Sequence, residues 1–461
     1  MNDPRRAALQ FAREEKENYL QQLIEFVKFP SVSTDNHQKA VLSDTAVWIA
    51  KKLEAIGIQN VQLLPNSGPP VVYGEHAAAA PGAPTVLIYG HYDVQPAEPL
   101  HLWESDPFNP VVRGENLYGR GTSDMKGEVM ATIYAVEAVL KHGGLPVNVK
   151  FLLEGEEEIG SPNLAPLLEE KKDLFFCDVA LNTDAGMLAK DAPSITYGLR
   201  GLAYFELRVE GPRQDLHSGL FGGVVHNPAQ ALCELIAAMH DSHGRVTLPG
   251  FYDQVIPLQP EERAELARLP VNDASYLQQT GAPALWGESG FLPIERIGAR
   301  PTLEVNGLYS GFTESGSKTI IPAWAMAKIS MRLVPAQDPA QVHRQLSEFL
   351  EQRAPNTIRW ELTQMVGGVA ALTNLNHPAC QAYSDAVEQV WSVRPFFTRS
   401  GGSVPVVADL QHILGVESVM TGFSLPEDNV HGPNEKLHLP TWYKGIETLI
   451  HFLYNYGGAA N

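Results

Sequence analysis

The sequence predicts an α/β protein carrying an inserted α+β domain. Three observations support this. In the first two hundred residues, short continuous apolar runs alternate with helical patterns; after about Gly198 the strands alternate apolar with polar; and from His377 helix and buried strand return. Continuous apolar strands separated by helices indicate a mainly parallel sheet with helices on both faces, whereas alternation indicates antiparallel strands with one exposed side. Residues 1–200 and 373–461 then form one domain, and residues 201–372 form the insert.

Leu9, Ala12, Tyr19, Leu20, Leu23, Ile24 and Val27 recur at helical spacing, so one helix is expected from about Pro4 to Val27, stopping before Pro30. A second begins at a cap near Ser43 and ends at Gly57. Thr85–Tyr89 reads as a buried strand, Glu128–His142 as an amphipathic helix, and Val147–Leu153 and Val179–Leu181 as further strands. In the insert, Phe205–Glu210 and Ile329–Leu333 alternate as half-exposed strands do. Helices at Pro228–Met239 and Pro339–Glu351 each open with an Asn or Asp cap followed by proline. No internal repeat is present.

With 44% hydrophobic and 19% charged residues in 461, the chain reads as globular and soluble, large enough for two cores. It has no apolar stretch long enough for a membrane span or a signal peptide, so a cytoplasmic location is expected. Cys177, Cys233 and Cys380 are scattered among apolar neighbours, as buried thiols in a reducing compartment would be. A net charge of −19 argues against nucleic acid as a partner.

Chemistry concentrates where strands end, which is where ligands bind in such sheets. The strand at Thr85 breaks at Gly90 into His91-Tyr92-Asp93. The next runs into Glu154-Gly155-Glu156-Glu157-Glu158, and the third into Asn182-Thr183-Asp184. Gly119-Arg120-Gly121-Thr122-Ser123-Asp124-Met125-Lys126-Gly127 delivers a carboxylate just before a helix, and Asn429-Val430-His431-Gly432-Pro433-Asn434-Glu435 supplies a second imidazole. Imidazole and carboxylate together suit zinc, manganese or cobalt. Two histidines and three carboxylates would hold two cations about 3.5–4 Å apart with one acid bridging, leaving a spare carboxylate to move a proton. Each piece alone is weak: an acidic run is commonly a solvated loop, and Asp184 alone could cap a turn.

His91-Tyr92-Asp93-Val94-Gln95-Pro96, the segment Gly119–Gly127, and Glu154–Ser161 resemble, in order and spacing, the three signatures of the M20 metallopeptidases. Tyr197–Gly201, Asp215-Leu216-His217-Ser218-Gly219 and Arg399–Pro405 are similar to the cytosolic nonspecific dipeptidase and carnosinase branch. The resemblance implies that His91 and Asp184 bind one cation, Glu158 and His431 the other, and Asp124 both. It makes Glu157 the general base and Asp93 the residue that orients His91. It also implies that the insert is a ferredoxin-like lid and dimerisation domain whose His217 enters the partner subunit's site, and that Thr319, Arg332 and Ser403 hold the substrate's carboxylate end. Ser400 departs from the branch, whose members often carry glutamate there, which leaves the substrate preference open.

The activity the resemblance implies is hydrolysis of dipeptides or short peptides by a homodimer with two divalent ions per subunit, zinc, with manganese or cobalt as alternatives. N-acyl amino acid deacylation and glutamate-releasing carboxypeptidase activity use the same machinery. A non-catalytic metal- or peptide-binding protein would be expected to have lost Glu157 or a ligand, and all are present.

Overall fold

The computed structural model describes residues 3–35, 39–402 and 404–458. Its contacts separate residues 1–197, 373–398 and 404–461 from residues 198–372 and 399–403.

The first unit is built on a large sheet. Its centre runs in the order Asn148–Glu154, Thr85–His91, Val179–Asn182, Glu417–Met420, with each neighbouring pair parallel. Gln59–Leu64 and Val71–His76 extend one side, and Ser194–Leu199 the other, all antiparallel to their neighbours. The expected mainly parallel sheet is therefore a mixed one. The segment linking Leu64 to Val71 is too short for a crossover, so it can join only antiparallel strands. Along Thr85–His91 every residue after Thr85 is buried; successive side chains point to opposite faces, so both faces are covered.

Several helices differ from expectation. The first is two, Pro4–Glu14 and Lys16–Val27, because Glu15 leaves helical geometry at φ −87°, ψ 4°. The next, Lys39–Ala55, starts before Ser43, whose hydroxyl donates back to Lys39 O at 3.1 Å inside the helix instead of capping it. Gly127–Lys141 is not amphipathic: every residue from Gly127 to Val139 is buried. Its sequence is apolar on nearly all sides, which suits a helix enclosed by protein. Trp442 of helix Leu439–Gly458 packs there and donates its indole N–H to Gly127 O at 2.7 Å.

The second unit has a four-stranded antiparallel sheet in the order Thr302–Ser310, Trp324–Leu333, Gly201–Glu210, Arg359–Gly368. With helices Pro228–Ala238 and Pro339–Arg353 the chain order is β-α-β-β-α-β. Asn227 and Asp338 cap these helices, accepting the N–H of Ala229 and Ala340 at 2.9 and 3.1 Å. Strict alternation puts Phe205, Leu207, Val209, Ile329 and Met331 into one core with Leu232, Leu346 and Phe349. Each large side chain so buried contributes about 1.5–3 kcal/mol. Cys177 and Cys380 are buried, but Cys233 is exposed, since it lies on the outer side of the helix whose Leu232 enters the core.

Candidate metal centre

Three adjacent parallel strands end on one edge of the first sheet, and each presents a candidate group there. His91 closes the strand Thr85–His91; Glu157 and Glu158 follow Asn148–Glu154; Asp184 follows Val179–Asn182. Asp124 comes from the turn before the buried helix, and His431 from the loop before strand Lys436–His438. His91 Nε2 lies 3.1 Å from Asp124 Oδ1 and 3.8 Å from Asp184 Oδ2. His431 Nε2 lies 2.9 Å from Asp124 Oδ2 and 3.3 Å from Glu158 Oε2.

These residues form two triads, His91/Asp124/Asp184 and Asp124/Glu158/His431, each with ligand atoms within 4.8 Å of one another. Asp124 belongs to both and faces each with a different oxygen. His91 Nε2 is buried and lacks a hydrogen-bond partner, since its approach to Asp124 is not aligned for one. An orphaned imidazole nitrogen aimed at carboxylates fits a divalent cation better than it fits a purely hydrogen-bonded cluster. Glu157 belongs to neither triad, though its Oε2 is 4.0 Å from His91 Nε2.

Asp93 lies with its Oδ1 3.4 Å and its backbone O 3.1 Å from His91 Nδ1. It has a further role that the sequence did not reveal: its carboxylate accepts the backbone N–H of Glu157 at 3.2 Å and of Glu158 at 3.1 Å, fixing the turn that carries both acids. Gln95, two residues on, was not among the candidates. Its backbone N–H and side-chain amide donate to the two oxygens of Glu158 at 3.1 and 2.8 Å. The only sequence signal for it was its place in the His91–Pro96 segment.

Crowding five acids around two imidazoles sets their charges. Burial opposes ionisation of Asp124, but the hydrogen bond with His431 and the nearby His91 imidazole outweigh it and hold the carboxyl well below the usual carboxylate range. Burial, reinforced by Asp184, Asp124 and Glu158 and opposed by His91, pushes Glu157 up to about 8. Burial likewise raises Asp184 to about 6. Hydrogen bonds to Asp124 and Glu158 raise His431 to about 10.

The remaining candidates lie in the second unit. His217 is exposed at the end of Leu216–His217, which pairs with Ile320–Ile321, and its Nδ1 accepts Gly219 N–H at 3.0 Å. Thr319 is its neighbour, and its backbone O accepts Ser218 N–H at 3.1 Å. Arg332 lines a cavity of about 440 Å³ with Arg200, Glu304 and Ser330. Burial, with Arg332 close by, lowers Arg200 to about 10, so two guanidinium groups share this wall. Ser403 lies outside the described residues.

A mixed α/β unit with two candidate cation triads sharing one carboxylate has the arrangement a two-metal hydrolase requires. Residues 87–455 match the model of peptidase family M20/M25/M40, and the chain belongs to that family. It is 32% identical to the Cys-Gly metallodipeptidase DUG1 of Candida albicans over 96% of each chain. It is also 32% identical to human Beta-Ala-His dipeptidase, covering 90% of this chain and 83% of that one. Among solved structures, the M20 family metallo-carboxypeptidase Sso-CP2 of Sulfolobus solfataricus superimposes with a TM-score of 0.83 at 33% identity, covering 95% of this chain and 99% of that one.

Proposed function

We propose that this chain is a two-metal dipeptidase, cleaving the peptide bond of unblocked dipeptides and short peptides. The observation that carries this reading is the pair of triads joined through Asp124, with Glu157 beside them and outside both. His91 and Asp184 would hold one cation and Glu158 and His431 the other, with Asp124 contributing to both. When bound, the cations supply Lewis acidity and a water of lowered pKa. Glu157, beside the triads and outside both, would serve as the general base toward that water and return the proton to the leaving amine. Asp93 holds His91 in orientation and fixes the Glu157–Glu158 turn. The donor set suits zinc, with manganese or cobalt as alternatives.

The second unit acts as a ferredoxin-like lid and dimerisation domain, and Arg332, Thr319 and Ser403 bind the substrate's carboxylate end. Arginine pairs with a carboxylate through two parallel hydrogen bonds. His217 serves the partner subunit's site. With Nδ1 accepting from Gly219, its neutral ring carries the proton on Nε2, where it can donate to a developing oxyanion. Leu220 and Val224, 73% and 79% exposed, put apolar surface beside it that a second subunit would cover. Mixing Glu157→Gln with His217→Ala subunits should then restore one working site per heterodimer; no recovery after verified exchange overturns the arrangement. The cytoplasm is the proposed location. No helix among the described residues is long and apolar enough to cross a membrane, and the three cysteines are free.

The test is amino-acid release from a dipeptide and from its N-acetylated form, using chelator-stripped protein resupplied with zinc or manganese. Metal-dependent cleavage of the free dipeptide alone supports the reading, and preference for the acetylated compound moves the function to deacylation. The likeness to a metallo-carboxypeptidase favours a second reading, removal of C-terminal residues from longer peptides, which a tripeptide series separates from dipeptidase action.

A further inference from the structure

Arg120 and Glu435 form a buried ion pair, 1% and 0% exposed, that takes no part in the chemistry proposed above. Glu435 Oε1 accepts the backbone N–H of Ser123 at 2.9 Å and of Asp124 at 3.1 Å. Its Oε2 accepts the N–H of Gly121 at 2.9 Å and Arg120 Nη1 at 2.7 Å. Four donors therefore converge on one carboxylate, three of them from the backbone that presents Asp124. From the other side, Arg120 Nη2 donates to Pro96 O and to Gly432 O, each at 3.2 Å. Pro96 follows Gln95, which holds Glu158, and Gly432 follows His431. The pair thus ties together the loops carrying Asp124, Glu158's anchor and His431.

We infer that Glu435 is the positioning residue for the shared ligand Asp124, with Arg120 as its charge partner, and that the pair sets the affinity of both cation sites together. The chemistry is specific to a carboxylate. Glutamine keeps the shape but replaces one acceptor oxygen with an NH₂ group. That group must face either two backbone N–H groups or an N–H and a guanidinium, and Arg120 loses its buried counter-charge. Because Asp124 belongs to both triads, the loss should fall on both cations, whereas a change at Asp184 should fall on one.

This inference rests on the two-metal reading, and the experiment separates the two. Stripped protein is titrated with zinc alone, and separately with manganese alone, against a chromophoric chelator. Glu435→Gln should weaken both sites by roughly 10- to 100-fold, the range for changes at groups supporting metal ligands. Asp184→Asn should weaken one. A folded Glu435→Gln protein with both affinities unchanged overturns the inference, while wild-type protein that binds fewer than two cations overturns the reading beneath it. Should Glu435→Gln fail to fold, Arg120→Lys decides: it keeps a cation beside Glu435 but gives up the planar fork, so weakened binding supports the inference and wild-type binding overturns it. Wild-type protein gives an answer without substitution. The amides of Gly121, Ser123 and Asp124 should resist hydrogen exchange even after stripping, and free exchange there overturns the inference.

Discussion

The four-stranded sheet of the second unit and the sheet edge of the first handle polarity in opposite ways. In the second, the pleat sorts the residues: along Gly201–Glu210 every other side chain is buried, and the buried ones are apolar. In the first, His91, Asp93, Arg120, Lys126, Glu128, Glu154 and Glu435 are all almost completely buried. Apolar burial is forgiving, since neighbours can repack around a change of shape. Buried charge is not, because removing one partner strands the other. Damage to the second unit's apolar core should therefore appear as lost stability, and damage at the first unit's sheet edge should fall on the chemistry.

The largest expected effect tests that edge. Glu157→Gln should lower kcat by about 10²- to 10⁴-fold, the contribution of a positioned proton carrier, while two cations per chain remain by elemental analysis. Retained turnover would remove Glu157 from its role, and lost metal would make it a ligand. Next, Ile329→Ala in the second core should cost about 2–5 kcal/mol in denaturant unfolding of that unit with metal content unchanged. Metal loss in a folded Ile329→Ala protein would break the separation drawn here.

A smaller effect follows from His431. Raised to about 10, its imidazole is protonated at neutral pH, yet it must be neutral to ligate. Cation binding at its triad should release about one proton at pH 7, and affinity should rise up to tenfold per pH unit until about pH 10. Calorimetry in two buffers of different ionisation enthalpy reads this directly, and identical apparent enthalpies would contradict it.

The smallest effect concerns stability. A carboxyl such as Glu157, with a folded pKa of about 8 against an ordinary 4.5, favours the fold at low pH and withdraws that support as pH rises through this window. His431 adds stability that is present below its ordinary 6.5 and lost as pH rises through about 10. Stripped protein should therefore melt at a lower temperature at pH 9 than at pH 6, with the difference shrinking once cations are restored. A higher melting temperature at pH 9 would reverse the sign.

The same contrast explains what could be read from the sequence. The alternating strands and the Asn227-Pro228 and Asp338-Pro339 helix starts are local signals, and those elements formed where expected. The buried strands were legible, but the directions of their neighbours were not, because the hairpin of Gln59–Leu64 with Val71–His76 has no continuous apolar run to announce it. The helix over Glu128–His142 was read as amphipathic, yet even its polar Glu128, Thr132 and Glu137 are buried. Candidate ligands stood out as acids and imidazoles at strand ends. Gln95 and Glu435 did not, since their role is to hold another loop in place, and for Glu435 that loop lies more than three hundred residues away. No periodicity or composition encodes such a contact.

The strand Glu417–Met420 lies between Val179–Asn182 and Ser194–Leu199 in the finished sheet, although more than two hundred residues separate it from both in the chain. On the ribosome, the sheet therefore emerges with a gap in its middle. The insert leaves the exit tunnel whole before the filling strand exists, and at about 5–20 residues per second the delay between Asp184 and His431 is on the order of ten to fifty seconds. During that interval the His91/Asp124/Asp184 triad has all its members, while the other still lacks its imidazole. The order of translation thus makes all the residues of one triad before those of the other, yet Asp124 still lacks its anchor Glu435 during that interval, and the edge of Val179–Asn182 stays open until Glu417–Met420 emerges.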